Sequence, residues 1–130
     1  MYENFGLFIN GAWTKGGKSV EVHSPVTEKS LGSIAAASPD DTARAIDAAR
    51  AAMAKLAEMG GFGRADALHK AADEMLARTD EAATMISTET GKPIAQSGRE
   101  WGLACDQFRW YAEEARRIYG RTVESRVLGG

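Results

Sequence analysis

The chain has 130 residues, of which 44% are hydrophobic and 26% charged, and its formal net charge is -2. This length and composition suit one domain with a real core, and the near-neutral charge gives no reason to expect nucleic acid or an anionic membrane as a partner. The single cysteine, Cys105, excludes an internal disulfide and a multi-cysteine metal site and fits a reducing compartment. Because the sequence also lacks a basic and apolar leader and any apolar run of about 18 residues, we expect a cytoplasmic protein.

The first 37 residues predict short β-strands. Asn10 and Gly11 separate two short apolar runs, which is the strongest local signal for a two-residue hairpin, since both turn positions need a positive φ. Apolar and polar residues then alternate around Val20, and a third extended segment covers Leu31 to Ala37. We therefore expect a small antiparallel sheet in this part of the chain.

Residues 38–120 predict a helical array. Ser38 can cap the first helix, and Pro39 suits its first position because the missing N–H needs no partner there. Gly91 supplies a left-handed cap for the third helix. The predicted helices run from Pro39 to Gly60, from about Arg64 to Arg78, from about Asp80 to Thr90, and from about Ile94 to Tyr119.

The helices carry apolar residues at helical spacing, which predicts faces that pack against other parts of the protein. The first helix presents Ile46, Ala49, Met53 and Leu56 at helical spacing. The second helix turns its apolar face inward with Leu68, Ala71, Ala72, Met75 and Leu76, and the third does so with Ala82, Met85 and Ile86. The fourth presents Trp101, Cys105, Phe108, Ala112, Ala115 and Tyr119. Cys105 is thus expected to be a small core residue rather than a nucleophile, because no basic side chain shares its face to lower the pKa of its thiol.

Other motifs predict no catalytic, cofactor-binding or metal site in this chain. The glycine-rich run Gly61 to Asp66 lacks the last glycine of a dinucleotide fingerprint and follows a helix rather than a strand. The Gly91-Lys92 pair lacks the other residues of a phosphate loop. His23 and His69 lie in different elements without ligands at metal-binding spacing.

Three blocks give the sequence a resemblance to a known family. These are Phe8 to Trp13, Glu89 to Pro93 and Arg109 to Glu113, reading FINGAW, ETGKP and RWYAE. In this order and at these separations they resemble the opening third of NAD(P)-dependent aldehyde dehydrogenases, and the resemblance covers nearly the whole chain. The sequence departs from the family pattern in the first link between helices, around Gly60, where members usually carry a tryptophan and prolines.

The resemblance implies an oxidoreductase that converts an aldehyde to a carboxylic acid with NAD or NADP. It implies an α/β parent with a Rossmann-like cofactor domain, acting on small-molecule aldehydes and forming a homo-oligomer, with no nucleic acid or membrane partner. The family's nucleophile, general base, oxyanion asparagine and cofactor segments all follow position 130 in the pattern. The chain alone is therefore expected to be inactive, with 1–37 forming strands, 38–120 the helices, and 121–130 the start of a truncated strand.

One face of the fourth helix is a candidate substrate surface. Leu103 and Trp110 lie off the core stripe, seven residues apart, and they share a face with Asp106 and Gln107 between them. Leu103, Gln107 and Trp110 are the candidate residues of this face. The resemblance implies that this helix borders the aldehyde entrance, so these three residues are candidates for lining a substrate tunnel. The alternatives are that Leu103 and Trp110 pack on another part of the protein or a subunit, or that the whole chain is a non-enzymatic helical interaction module.

Overall fold

The computed structural model describes residues 2–121, which form two small β-sheets followed by four α-helices. The strands are β1 Tyr2–Phe5, β2 Leu7–Ile9, β3 Ala12–Thr14, β4 Lys18–His23 and β5 Ser30–Ala36. The helices are α1 Pro39–Glu58, α2 Gly60–Ala77, α3 Thr79–Thr90 and α4 Ile94–Ala115. The strand predicted after Gly120 lies outside the described residues. No helix in the described range has the length and apolar character needed to cross a membrane.

The hairpin β2–β3 confirms the prediction made from Asn10 and Gly11. These two residues have φ values of 52° and 76°, as a two-residue turn with both central positions in the left-handed region requires. Phe8 pairs with Trp13 across the strands, and their ring centroids are 5.1 Å apart. The turn chemistry therefore sets the register of this hairpin.

The second sheet has the strand order β1-β5-β4 and includes one strand that the sequence did not predict. The β4 and β5 strands pair antiparallel, as expected, whereas β1 pairs in parallel with β5. Parallel strands need a long connection, and here the hairpin and β4 lie between the two partners. A pairing across that much sequence leaves no signal in the local pattern of residues 2–5.

The start of α1 is fixed by a reciprocal cap. The Ser38 Oγ accepts a hydrogen bond from the Asp41 backbone N–H at 3.1 Å, and the Asp41 carboxylate accepts one from the Ser38 N–H at 2.9 Å. The Ser38 N–H, the Ser38 hydroxyl and the Arg44 guanidinium together lower the pKa of Asp41 from 3.8 to about 2. The predicted cap and the first-turn proline are both confirmed.

Two predicted helix ends differ from the structure. The α2 helix begins at Gly60 instead of Arg64, and Gly60 itself has a φ of 66°, so the chain turns within one residue of the end of α1. The α4 helix ends at Ala115, so Tyr119, which was expected in the core stripe, is 80% exposed. The start of α2 abuts this end closely, because a Cβ on Gly61 would lie 2.6 Å from the Ala115 carbonyl oxygen.

The core lies between α2, α3 and α4 and is built from small residues. The α4 helix packs along much of its length against α2 and α3. Its inner face places Ser97, Cys105 and Ala112 with no exposed surface, opposite Ala65 and Ala72 of α2. Small side chains let the helix backbones approach closely, and the Trp101 indole N–H donates to the Met75 carbonyl at 2.8 Å.

Within the described residues, one predicted apolar stripe is left uncovered and one predicted core residue lies at the edge of the core. The apolar stripe of α1 is exposed, with Ile46, Met53 and Leu56 each about half or more open to solvent, because α1 makes few contacts with the other elements. Phe108 is 37% exposed, since it lies at the margin of the α4 stripe while the smaller Cys105 and Ala112 occupy its centre. Helical periodicity identified the apolar faces but not what covers them.

Candidate functional site

The three candidate tunnel residues lie on one exposed face of α4. Leu103 and Trp110 are 62% and 67% exposed, and Gln107 is exposed between them. Leu103 and Trp110 are two turns apart, about 10.5 Å along the axis. We call the exposed side of α4 that carries Leu103, Gln107 and Trp110 the outer face. The structure brings these residues together as their spacing predicted, whereas their role in a substrate tunnel stays a prediction.

Asp106 also belongs to the outer face, as its spacing predicted, although it was not among the three tunnel candidates. It lies three residues after Leu103 and four before Trp110, and its side chain is exposed. The outer face is therefore an apolar surface with a carboxylate near its centre.

Cys105 is fully buried on the opposite side of α4. A cysteine nucleophile must be accessible and lie in an electropositive environment, whereas Cys105 is enclosed by α4 and its helical neighbours. Its position fits a structural role in the helix packing.

The described residues do not fit a dinucleotide cofactor. At Gly61, the space beside the backbone is filled by the Ala115 carbonyl rather than open to a phosphate. Lys92, the cation of the Gly-Lys-Pro turn, forms an ion pair with Glu100. A cradle for phosphate needs several free backbone N–H groups after a strand, and neither segment follows one.

The two histidines lie in different elements, and each contacts an acidic side chain. His23 Nε2 lies 3.4 Å from Glu21, and its Nδ1 lies 3.2 Å from the Glu28 carbonyl oxygen. His69 Nε2 lies 2.9 Å from Glu113, which joins α2 to α4. Across residues 2–121 no group of three or more potential metal ligands comes together.

A groove between α2, α3 and α4 is a second surface feature that the sequence did not predict. It encloses about 380 Å³, with Met75, Met85, Ile86 and Trp101 among its apolar walls and charged residues at its rim. Met75, Met85 and Ile86 were expected to face inward, and they do so only in part. A neighbour that fills the groove would complete their burial.

Comparisons with known proteins place these features in a family. The sequence profile of the aldehyde dehydrogenase family matches residues 13–129. The chain is 36% identical over 120 residues to D-glyceraldehyde dehydrogenase (NADP(+)) of Thermoplasma acidophilum, covering 91% of the chain and 24% of that protein. It is 34% identical over 117 residues to succinate-semialdehyde dehydrogenase [NADP(+)] of Escherichia coli, covering 88% of the chain and 24% of that protein.

Solved structures agree with the sequence relatives. An NAD-dependent aldehyde dehydrogenase from Sinorhizobium meliloti superposes with a TM-score of 0.87 at 32% identity, over 93% of this chain and 25% of that one. Succinate-semialdehyde dehydrogenase from Burkholderia pseudomallei superposes with a TM-score of 0.86 at 35% identity, over 92% and 25%. The chain spans about a quarter of the length of the relatives that it matches. It belongs to the aldehyde dehydrogenase family.

Proposed function

We propose that this chain is the N-terminal part of an enzyme that oxidises an aldehyde to a carboxylic acid with NAD or NADP. Family membership carries the proposal, and the relatives' names specify aldehyde substrates and both nicotinamide cofactors. Within that enzyme, 1–37 would be the strand region and 38–120 the helical array. The chain spans about a quarter of the length of its relatives, and we assign the chemistry to the remaining part of the enzyme.

The outer face of α4 is the part of the chain that we propose to line the substrate path. Leu103 and Trp110 present large apolar surfaces to solvent, and Gln107 adds an amide that can donate or accept a hydrogen bond. Binding sites for small molecules combine apolar walls with a few polar groups that fix orientation.

Substitutions on the outer face of the full-length protein test this proposal. Leu103→Ala or Trp110→Ala should change kcat/KM unequally for small and bulky aldehydes, by about 1–3 kcal/mol of differential transition-state binding, with little loss of stability. The measurement is steady-state NAD(P)H formation with a series of aldehydes of increasing size.

Phe108→Ala is the matched control, since Phe108 is a large apolar residue of the same helix that lies off the outer face. This variant should leave aldehyde preference unchanged. It should lower stability by less than the roughly 3–5 kcal/mol lost with a fully buried phenylalanine, because its side chain is already partly exposed. If Trp110→Ala and Phe108→Ala lower stability equally and neither changes aldehyde preference, the outer face does not line the substrate path.

The full-length enzyme is further proposed to be a cytoplasmic homo-oligomer. Its single cysteine within this chain fits a reducing compartment, and the exposed apolar residues of α1 and the hairpin provide surface that other parts of the enzyme or other subunits can cover. Multi-angle light scattering on the purified enzyme tests the assembly, and a monomeric mass would contradict it.

A further inference from the structure

Asp106 differs from the other acidic residues of α4 in its ion pairing. The helix has three other acidic residues, and each has a basic partner: Glu100 pairs with Lys92, Glu113 with Arg116 at 3.8 Å, and Glu114 with Arg117 at 3.1 Å. Asp106 is the acidic residue of α4 for which the described part of the chain shows no ion pair and no side-chain hydrogen bond.

Within the described residues, no base on the outer face forms an ion pair with Asp106. Arg109, three residues further along, donates instead to Asp73 of α2 at 3.0 Å. Arg99 shares the outer face but lies two turns before Asp106, about 10.5 Å along the axis. An uncompensated negative charge therefore stands between Leu103 and Trp110, the two apolar residues of the proposed substrate path.

We propose that Asp106 sets the charge preference of the substrate path, disfavouring aldehydes that carry a second, anionic group and favouring neutral or cationic ones. The inference rests on the proposed function, because it takes the outer face as a surface along which the aldehyde passes. A unit charge about 8 Å from the carboxylate, at an effective dielectric constant of about 20 to 40, changes the relative rate by about 5- to 30-fold.

The test compares two aldehydes of equal chain length in the full-length enzyme: pentanal, which has no ionic group, and 5-oxopentanoate, which has a terminal carboxylate. Asp106→Asn keeps the size of the side chain and removes its charge. It should raise kcat/KM for 5-oxopentanoate about 5- to 30-fold and leave the value for pentanal within about twofold. The increase should shrink at high salt, because mobile ions screen the charge.

Asp47→Asn is the matched control, since it changes the net charge equally at an exposed position on α1, away from the outer face. It should alter neither value. An unchanged ratio of the two rates in Asp106→Asn, while Leu103→Ala and Trp110→Ala still alter size preference, overturns the role of Asp106 and leaves the substrate path in place. An enzyme that oxidises neither aldehyde, or whose preferences respond to none of these variants, overturns the path and the inference together.

Discussion

Replacing Gly61 with alanine is expected to separate α2 from α4 at the point where they meet most closely. The added Cβ would lie 2.6 Å from the Ala115 carbonyl oxygen, whereas an ordinary contact begins at 3.4 Å. The two helix ends must therefore move apart by about 0.8 Å. Because the obstacle is backbone rather than a flexible side chain, we expect a loss of about 1–3 kcal/mol in the free energy of unfolding.

Gly102→Ala in α4 is the matched control for this prediction. No atom lies within 4 Å of a Cβ built on Gly102, so the same substitution adds no clash there. Alanine also loses less conformational entropy than glycine on entering a helix, so this variant should gain about 0.5–1 kcal/mol.

Thermal unfolding of the two variants, followed by far-UV circular dichroism at concentrations where light scattering reports a monomer, measures the difference. A chain of this size shifts its Tm by about 3–6 °C per kcal/mol, so the two variants should fall on opposite sides of the parent. A Gly61→Ala variant as stable as the parent would show that the two helix ends yield without cost and that their close approach does not stabilise the fold.

Three further predictions concern acid, activity and association. The pKa of Asp41 is lowered to about 2 in the folded state, so the stabilisation from its cap is complete above about pH 4 and is lost as the pH falls toward 2. The variant Ser38→Ala should weaken this loss of stability in acid, measured by unfolding curves recorded between about pH 4 and pH 2. If the pH dependence of stability is unchanged in Ser38→Ala, the cap is not its source. The isolated chain should form no NAD(P)H from any aldehyde above a blank, and activity that disappears in Cys105→Ala would contradict the burial of that thiol. The isolated chain should also self-associate, so that light scattering gives a mass above the 13.9 kDa of the monomer. The variant Met53→Glu should lower this mass, because Met53 is an apolar side chain on α1 that is 66% exposed. A parent chain that is strictly monomeric would refute the prediction.

The parts of the fold that depend on local chemistry could be predicted from the sequence. The hairpin follows from Asn10 and Gly11, the start of α1 from Ser38 and Pro39, and the end of α3 from Gly91, which has a φ of 75°. Each signal acts within a few residues, so no knowledge of the rest of the chain is needed.

Features that depend on distant neighbours could not be predicted in the same way. The parallel pairing of β1 with β5, the exposed stripe of α1 and the end of α4 at Ala115 are all set by what other elements do or do not cover. The outer face of α4 followed from helical spacing, because that spacing alone brings Leu103 and Trp110 together. The absence of an ion pair at Asp106 could not be predicted, because the partner of an acidic side chain can come from a distant part of the sequence. Glu113, for example, contacts His69, which is 44 residues away.

The meeting of Gly61 with Ala115 has a practical consequence for exchanging sequence between relatives. It brings the start of α2 next to the end of α4. Residues 60–115 therefore form a three-helix unit whose first and last residues lie close together. Segments with adjacent ends can be transplanted with little strain at their junctions. Residues 60–115 are thus a suitable segment to exchange in chimeras of two relatives. The exchange would transfer the whole outer face of α4 and would leave the hairpin and α1 of the recipient unchanged.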